Sequence, residues 1–241
     1  MSSKFGVIGK LNFLQDMASW VISSINPPII HNLEKYLMLH KVFYYTACEN
    51  IQGDYLEFGV YTGSSFCHAI RSYMKNLRYE AEKFNTRFFG FDSFDGFGEI
   101  NEIDIHPFYT KENFTTSYDK VKRRIQKASG GGVAVNLIKG FFNESLSKGP
   151  LYFGIGKARI IFIDSDTYTA AYAVLKFCHE TLQIGTVIIF DDRLSYKGRL
   201  DAGEIRAFNE FLSKTGIGVI EYGRYGVCGG MVYVVNSIHP S

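Results

Sequence analysis

Two apolar runs in the sequence each end in a pair of carboxylates. The run "IFIDSDTY" leads into Asp164 and Asp166, and "TVIIFDDR" leads into Asp191 and Asp192. If these runs are neighbouring parallel strands, their ends lie about 5 Å apart, where two like charges repel by roughly 3 kcal/mol at an effective dielectric constant near 20. A bound cation would remove this repulsion. Carboxylate oxygens without histidine or cysteine favour Mg²⁺ or Mn²⁺, so we predict that Asp164, Asp191 and Asp192 hold one such ion.

This set of ligands places a condition on the second of the two strands. Side chains alternate between the faces of a strand, so Asp191 and Asp192 can share an ion only if the strand ends before them. We predict that it does. Asp166 has a different expected role, either as the N-cap of the helix that follows or as a contact to the backbone of a cofactor.

A glycine-containing turn follows the first predicted strand, "DYLEFGV". In "YLEFGVYTGSS", Gly59 allows the backbone to approach a ligand and Gly63 permits a tight turn. The helix that starts at Ser64 and Ser65 favours a carboxylate or phosphate at its N-terminus. Glu57 stands where a dinucleotide-binding motif has its first glycine. An acid there repels pyrophosphate and attracts an ammonium group, so the turn fits an amino-acid-bearing cofactor better than NAD.

The second predicted strand, "TRFFGFD", ends at Asp92. A carboxylate at this position can accept hydrogen bonds from both hydroxyls of a ribose. The structural alternative for Asp92 is an Asx-turn or a helix N-cap. An ammonium partner at Glu57 and a ribose partner at Asp92 together describe S-adenosylmethionine.

The elements that position these residues alternate along the chain. After about residue 50, strand patterns alternate with helical patterns, which predicts an α/β fold with a mainly parallel sheet, helices on both faces and ligands beyond the carboxyl ends of the strands. The last two strands, "GVIEYG" and "GGMVYVV", have a short connection and should form an antiparallel hairpin at the sheet edge. The long irregular stretch at 94–116 is a predicted lid, because loops of this length are usually functional or mobile. We expect its histidine, His106, to be solvated and not to act as a second base.

The first 50 residues are predicted to form a helical cap or lid segment, separate from a domain at 51–241. Apolar residues recur at three- and four-residue steps from Leu11 to Ile25, and Pro27 and Pro28 then end the helix. Its apolar face should pack on its own domain or on a second subunit. An active-site lid and a membrane-surface contact are the alternatives.

Composition narrows the class of protein and its partners. The 241 residues, 46% of them hydrophobic, suit one large α/β domain. A net charge of +2 gives no electrostatic reason to expect a nucleic acid, so a small molecule or glycan is the expected partner. The four cysteines lack metal-binding or disulfide spacing. Without a signal-peptide pattern or an apolar stretch long enough to span a bilayer, we expect a cytoplasmic protein, and a homodimer is possible.

Six blocks of the chain, in order, resemble those of a known family. They are "YLEFGVYTGSS", "FGFDSFDGF", "IKGFFNESL", "FIDSDTY", "IIFDD" and "GEIRAFNEF", and the resemblance, to the macrocin-type O-methyltransferases, covers roughly residues 50–235. These class I enzymes methylate sugar hydroxyls. The resemblance implies a Rossmann-like, seven-stranded sheet with one antiparallel edge strand, S-adenosylmethionine as methyl donor, and a divalent metal held by the acids after the fourth and fifth strands.

Individual residues near the strand ends have expected roles, and for Asp164 similar enzymes imply the same one. Asp164 is the expected catalytic base as well as a metal ligand. Lys139 to Phe142 should border the adenine, with Phe141 or Phe142 either stacking on it or filling the core. Arg193 and Tyr196 are candidate substrate contacts, and Glu204 either starts a helix or positions Arg206. The expected cofactor-binding residues are Glu57, Gly59, Tyr61, Gly63, Ser64, Ser65, Asp92, Ser93, Gly140, Phe141, Phe142 and Asp164.

Other classes of function fit less well. "FIDSDTY" with "FDD" is similar to the motifs of haloacid-dehalogenase phosphatases, but Tyr168 stands at the expected threonine or valine position and the motif comes late in the chain. Glu57 disfavours an NAD-linked dehydrogenase. A non-catalytic relative that binds the cofactor would not need the acidic triad. A catechol-like phenol is the alternative methyl acceptor, since it could chelate the same ion.

Overall fold

The computed structural model describes residues 12–80, 85–111 and 113–238. Within these ranges the helices are α1 (Asn12–Ser23), α2 (Pro27–Cys48), α3 (Ser64–Asn76), α4 (Tyr118–Ser129), α5 (Phe142–Ser145), α6 (Tyr168–Cys178) and α7 (Gly203–Thr215). The strands are β1 (Asp54–Phe58), β2 (Phe88–Asp92), β3 (Val135–Lys139), β4 (Ala158–Ile163), β5 (Val187–Phe190), β6 (Gly218–Tyr225) and β7 (Gly230–Ser237). Strands and helices alternate from β1 to β6, as the sequence predicts.

The seven strands form one sheet in the order β3-β2-β1-β4-β5-β7-β6. The pairs from β3 through to β5 are all parallel, whereas β7 runs antiparallel to both β5 and β6. The predicted fold class is therefore confirmed, including the antiparallel hairpin at the edge. Within that hairpin, β7 is the reversed strand, and β6 forms the edge itself.

The central strands are buried because both faces of the sheet are covered. Every residue of β1, β4 and β5 is buried. One face carries Phe58, Ile163 and Phe190 into a core shared with α6 and α7, while alternate residues such as Tyr55 and Phe162 enter a second core with α2 and α3. Since these strands are fixed on both faces, the residues just after them are held in fixed positions at one rim of the sheet.

The two N-terminal helices differ in how they pack. The described residues of α1 include no buried one, and Phe13 and Trp20 are 74% and 70% exposed. In contrast, α2 inserts Leu39, Val42 and Phe43 into the core beneath the sheet. The predicted boundary at residue 50 is not tested by this arrangement, but α2 packs in the same core as the strands. None of the described helices is both long enough and apolar enough to cross a membrane.

The predicted lid at 94–116 is folded onto the body in its described part. Phe94 is buried, and an isolated bridge joins Asp95 to Thr115, so the segment forms a loop with a closed base. Tyr109 is also buried. The segment therefore covers the sheet rim at which β4 and β5 end.

Candidate functional site

The acids occupy the carboxyl ends of the two adjacent strands β4 and β5. The backbone N–H of Asp164 donates to Phe58 (2.9 Å), and that of Asp191 donates to Ile163 (3.0 Å), so both residues continue the parallel hydrogen-bond ladder. β5 ends at Phe190, before Asp191, as expected from the sequence. Two buried strands thus bring these carboxylates to the same rim.

Three of the carboxylates form a cluster that suits a metal ion. Asp164, Asp166 and Asp192 each place one oxygen within 4.8 Å of the others. Asp166 reaches this position with a φ of 62°, a left-handed conformation that costs a residue with a side chain roughly 1–2 kcal/mol. It does not cap the following helix as the sequence suggests, because Thr167 accepts the capping hydrogen bond from Ala170. Strained residues of this kind cluster at functional sites.

Burial, and then neighbouring negative charges, raise the pKa of all three carboxylates. Burial and the charge of Asp191 raise the pKa of Asp164 well above its usual range. Burial and the charge of Asp164 raise the pKa of Asp166 to about 7, and burial together with Asp166 raises the pKa of Asp192. A divalent cation would favour the ionised forms, and an all-carboxylate set fits Mg²⁺ or Mn²⁺. The donor set therefore fits the ion that the family resemblance implies.

Asp191 is held by protein groups on both of its carboxylate oxygens. Lys35 Nζ lies 2.5 Å from Asp191 Oδ2 and His31 Nε2 lies 3.1 Å from the same oxygen, while the Tyr225 hydroxyl donates to Oδ1 at 2.6 Å. Burial alone would raise the pKa of Asp191, but Lys35 and then His31 lower it below its usual range. Both oxygens of Asp191 are thus engaged by protein groups, and its role as a metal ligand stays a prediction. Asp166, which was not predicted as a ligand, lies beside Asp164 and Asp192 in the cluster.

Lys35 and His31 come from α2 and were not predicted as site residues. Lys35 is only 7% exposed, and it also lies 3.4 Å from Asp164 Oδ2. Burial would lower its pKa, but the charges of Asp164 and Asp191 raise it above the usual range. His31 Nδ1 accepts a hydrogen bond from the backbone of Val227, so its Nε2 carries the proton that points to Asp191. The available signal was a lysine on the buried face of an amphipathic helix, where a charge needs an acidic partner.

The glycine turn after β1 lies directly beside the acids. A Cβ added to Gly59 would lie 1.8 Å from the carbonyl oxygen of Asp164, so the neighbouring backbone alone requires a glycine there. Its contact with a cofactor stays a prediction. Gly63 adopts a φ of 75° as the N-cap of α3 and makes no side-chain cap. The first N–H groups of α3 are therefore suited to bind a carboxylate. Tyr61, at the tip of the turn, has a φ of 46°.

Glu57 is fully buried in this conformation. Its carboxylate accepts hydrogen bonds from the Tyr55 hydroxyl and from Ser65 Oγ at 2.7 Å. Burial raises its pKa to about 7, although these two hydrogen bonds oppose the shift. With 0% exposure, Glu57 has no free surface for the predicted ammonium contact, which stays a prediction. Ser65, another expected cofactor residue, is occupied as its donor.

Asp92 adopts the Asx-turn that was considered as its structural alternative. Its Oδ1 accepts from the backbone N–H of Phe94 (2.5 Å), and its Oδ2 accepts from that of Tyr61 (2.7 Å). Burial raises its pKa while these bonds lower it. Asp92 thereby links the first turn to the second, and its carbonyl accepts from Gly140 N (3.0 Å) at the end of β3. Ser93 is used within the turn, where its hydroxyl donates to Gly96 O at 2.6 Å.

The two phenylalanines after β3 have different environments. Phe142 packs edge-on against Phe58 at 6.1 Å and contributes to the core. Phe141 remains 36% exposed, next to Gly98 of the lid segment. Phe142 thus helps to fill the core, and Phe141 is the more exposed of the two rings.

Aromatic side chains attach the lid segment to the residues after β5. The hydroxyls of Tyr109 and Ser195 are 2.7 Å apart, and Tyr196 donates to the carbonyl of Asp104 at 2.8 Å. The His106 ring stacks on Tyr109 (4.3 Å) and meets Tyr196 at 4.9 Å. Burial lowers the pKa of His106. This histidine contacts two tyrosine rings but stays partly exposed to solvent, and Tyr196 anchors the lid through its hydrogen bond to Asp104.

Arg193 and Glu204 are both buried and contact other residues of the protein. Arg193 donates to the Tyr233 hydroxyl at 2.9 Å and lies over three aromatic rings. Glu204 accepts from the backbone N–H of Asp192, while its other oxygen has no hydrogen-bond partner among the described residues. Arg206 pairs with Glu210 at 2.8 Å. Of the two roles considered for Glu204, the structure agrees with the acid at a helix start, because Glu204 lies in the first turn of α7. It does not pair with Arg206, and it supports the acid cluster through Asp192.

Comparisons with known proteins identify the family and the fold. The family model described as macrocin-O-methyltransferase (TylF) matches residues 33–217, as the sequence blocks suggest. No curated protein matches the chain. Among solved structures, the O-methyltransferase NovP superposes with a TM-score of 0.67 at 18% identity, covering 84% of this chain and 79% of NovP.

Two further solved structures share the fold. The apo form of CalS11, described as a TDP-rhamnose 3'-O-methyltransferase of calicheamicin biosynthesis, has a TM-score of 0.55 at 19% identity and covers 83% of this chain and 78% of its own. An O-methyltransferase from Bacillus cereus in complex with SAH has a TM-score of 0.53 at 14% identity, covering 95% and 90%. At these identities the likeness establishes the fold.

Proposed function

Because the chain belongs to the macrocin-O-methyltransferase (TylF) family, we propose that it transfers a methyl group from S-adenosylmethionine to a hydroxyl of a sugar, with the help of a divalent cation. The observation that carries this proposal is the position of the acid cluster. Asp164, Asp166 and Asp192 lie together, and the turn expected to bind the cofactor packs directly on the backbone of Asp164. Donor and acceptor groups would therefore meet at one rim of the sheet.

The ends of β1, β2 and β3 supply the groups for the cofactor. The uncapped N-terminus of α3 suits the carboxylate of a methionine moiety. Asp92, whose turn joins β1 to β2, is the proposed ribose partner, and the exposed ring of Phe141 is the proposed adenine neighbour. Glu57 lies behind the turn, where it would act through Ser65 on the start of α3. S-adenosylmethionine supplies the electrophilic methyl group when it is bound there.

The cation would be held by Asp164, Asp166 and Asp192, and it would lower the pKa of a coordinated hydroxyl group. Asp164 is the proposed base. Its carboxylate lies in the cluster that would hold the cation, and so beside a coordinated hydroxyl group whose proton it could accept. Deprotonation matters because a neutral sugar hydroxyl is a weak nucleophile. Lys35, 3.4 Å away, fixes one oxygen of Asp164.

The lid segment would keep water away from the reacting groups. Tyr109 is buried between this segment and Ser195, and the negative charges of Asp166 and Asp192 raise its pKa further after burial has done so. Its hydroxyl therefore stays protonated and can donate a hydrogen bond. Exclusion of bulk water strengthens electrostatic interactions within the site.

A sugar is the proposed acceptor because the family is defined by a macrocin methyltransferase, and CalS11, which shares the fold, is described as acting on TDP-rhamnose. Vicinal sugar hydroxyls can both bind a hard cation, which favours oxygen ligands. We therefore propose a glycoside or nucleotide-activated sugar with adjacent free hydroxyls.

Methyl transfer tests this function directly. The protein is incubated with S-adenosylmethionine carrying an isotopically labelled methyl group and with TDP-rhamnose, other nucleotide sugars, glycosides and catechols, in Mg²⁺ or in EDTA. We expect label in a sugar product only with Mg²⁺. Asp164→Asn should reduce transfer at least about 100-fold, since general-base catalysis contributes roughly that much, whereas Asp201→Asn, at an exposed surface ion pair, should leave it unchanged.

Other outcomes would reject parts of the proposal. Equal transfer in EDTA would exclude the cation. Label found only in catechols would replace the sugar by a phenol. Release of phosphate without methylation would point to a phosphatase.

A further inference from the structure

Every lysine and arginine of the neighbouring helices α3 and α4 is exposed. Arg71 and Lys75 belong to α3, and five further basic residues belong to α4, whereas Asp119 is the single acid of the two helices. These helices therefore carry a formal charge of +6 (7 − 1), against +2 for the whole chain, so the rest of the chain is net acidic. None of the seven basic side chains forms an ion pair with another described residue. This surface is thus basic without acids to neutralise it.

Exposed apolar side chains lie beside the basic ones. Helices α2, α3 and α4 all pack in the second core, on one face of the sheet, so their outward sides form one surface. On α2 this surface carries Leu33 and Leu37, which are 57% and 62% exposed, and Tyr44. The rings of Tyr44 and Tyr79, just after α3, have centroids 4.9 Å apart, and the Arg78 guanidinium lies over the Tyr79 ring at 4.8 Å. Apolar and basic side chains therefore adjoin one another.

This combination suits the surface of an anionic lipid bilayer. Clusters of lysine and arginine attract acidic headgroups, and apolar side chains on the same surface enter the boundary between headgroups and acyl chains. A nucleic acid would match the charge but would leave the leucines exposed. A second copy of the chain, related by a two-fold axis, would place the basic surface against itself, and like charges would repel. Charge and apolar character together therefore favour the bilayer over both other partners.

We propose that the outward side of α2, α3 and α4 docks on an anionic lipid bilayer, with the basic side chains at the headgroups and Leu33 and Leu37 at the edge of the acyl chains. The docking does not depend on the proposed methyl transfer. The surface borders the candidate site, because Arg124 of α4 donates to the carbonyl of Thr62 at 2.9 Å, in the glycine turn after β1. A docked molecule would therefore hold the acidic rim close to the headgroups.

The test measures co-sedimentation of the full chain with lipid vesicles, without cofactor, acceptor or added metal. One set of vesicles contains equal parts of phosphatidylcholine and phosphatidylglycerol, and the other contains phosphatidylcholine alone. We expect binding to the mixed vesicles to be at least about tenfold tighter. NaCl at about 0.5 M should weaken it, because the Debye length is then only a few ångströms. Equal binding to both kinds of vesicle, or binding to neither, would overturn the proposal.

Arg123→Gln/Lys127→Gln removes two charges from the outward side of α4. Each lysine or arginine near an anionic leaflet strengthens binding about fivefold, so we expect the affinity for mixed vesicles to fall roughly 25-fold. Lys148→Gln/Lys176→Gln is the matched control, because it changes the net charge equally at two exposed positions. Lys176 lies on α6, which packs on the other face of the sheet, and Lys148 lies close to Leu146 of the same core. The control should bind as the wild type does, and equal losses in both variants would reject a specific docking surface.

Leu33→Gln/Leu37→Gln tests the apolar part of the surface and keeps every charge. Both side chains are more than half exposed, and glutamine is a good helix former, so the variant should fold. We expect its affinity for mixed vesicles to fall by about tenfold or more, because two leucines no longer leave water on binding. An unchanged affinity would contradict docking on a bilayer. A single-stranded RNA that displaces the wild type completely from the vesicles would replace the bilayer by a nucleic acid.

Discussion

Glu57 illustrates how one buried carboxylate couples stability to pH. Burial raises its pKa to about 7 in the folded chain, against about 4.3 in an unfolded one. The folded state therefore binds more protons between these values, and the contribution of Glu57 to stability falls as the pH rises from about 4.3 to about 7. The full loss is about 4 kcal/mol.

Glu57→Gln should remove this part of the pH dependence, because the amide cannot ionise. Urea unfolding in EDTA at pH 5 and pH 8 measures the change. We expect the free energy of unfolding to drop less between the two pH values in Glu57→Gln than in the wild type. Glu144→Gln, at an exposed position, should behave as the wild type does. Equal drops in Glu57→Gln and the wild type would mean that Glu57 is ionised at both pH values.

Among elements, the lid segment owes its position to a few tyrosine contacts. Tyr196 donates to the carbonyl of Asp104 across a long sequence separation, and such a hydrogen bond contributes about 1 kcal/mol. Tyr196→Phe keeps the ring that packs against His106 but loses this bond. We expect amide hydrogen exchange at 100–109 to become about fivefold faster, since local opening would cost less.

The control for this prediction is Tyr152→Phe, an exposed tyrosine whose variant should leave exchange at 100–109 unchanged. In the methyl-transfer assay, Tyr196→Phe should raise the KM for the acceptor more than it lowers kcat, because the loosened segment must be ordered on binding. Unchanged exchange in Tyr196→Phe would mean that other contacts hold the segment.

The same elements show which parts of the structure the sequence specifies. Strands β4 and β5 were predictable because a buried parallel strand needs an unbroken apolar run, and the acids that follow mark its end. The contribution of α2 to the site was not predictable. A helical pattern shows that one face of the helix is buried, but it does not show which residues contact Lys35. Asp166 was misread for a related reason. Its left-handed backbone depends on the packing around it, and an acid before a helix more often caps that helix.

The sequence showed which positions need a glycine, but it did not show the physical reason at each position. Gly59 and Gly63 were recognised as special, and both adopt a positive φ. The close approach at Gly59 is nevertheless to the backbone of Asp164, a residue more than one hundred positions later. Contacts between distant strands depend on the order of the strands in the sheet. The sequence pattern predicts the class of fold but not that order.

For the whole molecule, a nearly balanced net charge of +2 conceals an acidic concentration at one rim. The buried strands β4 and β5 fix the carboxylates at this rim. Repulsion among the carboxylates therefore destabilises the folded state. Tertiary packing elsewhere offsets this cost, as is usual at functional sites. Ligands that bind only the folded state stabilise it by mass action, so a cation at this rim should stabilise the entire fold.

Magnesium should therefore raise the unfolding temperature of the protein. At about 100 times its dissociation constant, a ligand adds about 2.7 kcal/mol, and for a chain of this size each kcal/mol shifts the midpoint by about 2–4 °C, so we expect roughly 5–10 °C relative to EDTA by calorimetry. Asp166→Asn removes one proposed ligand and should show a smaller shift, although its metal-free form should melt higher because a like-charge repulsion is gone. NaCl of equal ionic strength should screen the same repulsion only weakly, since the carboxylates are largely buried. An equal shift in NaCl would show that the acids respond to salt in general and bind no specific ion.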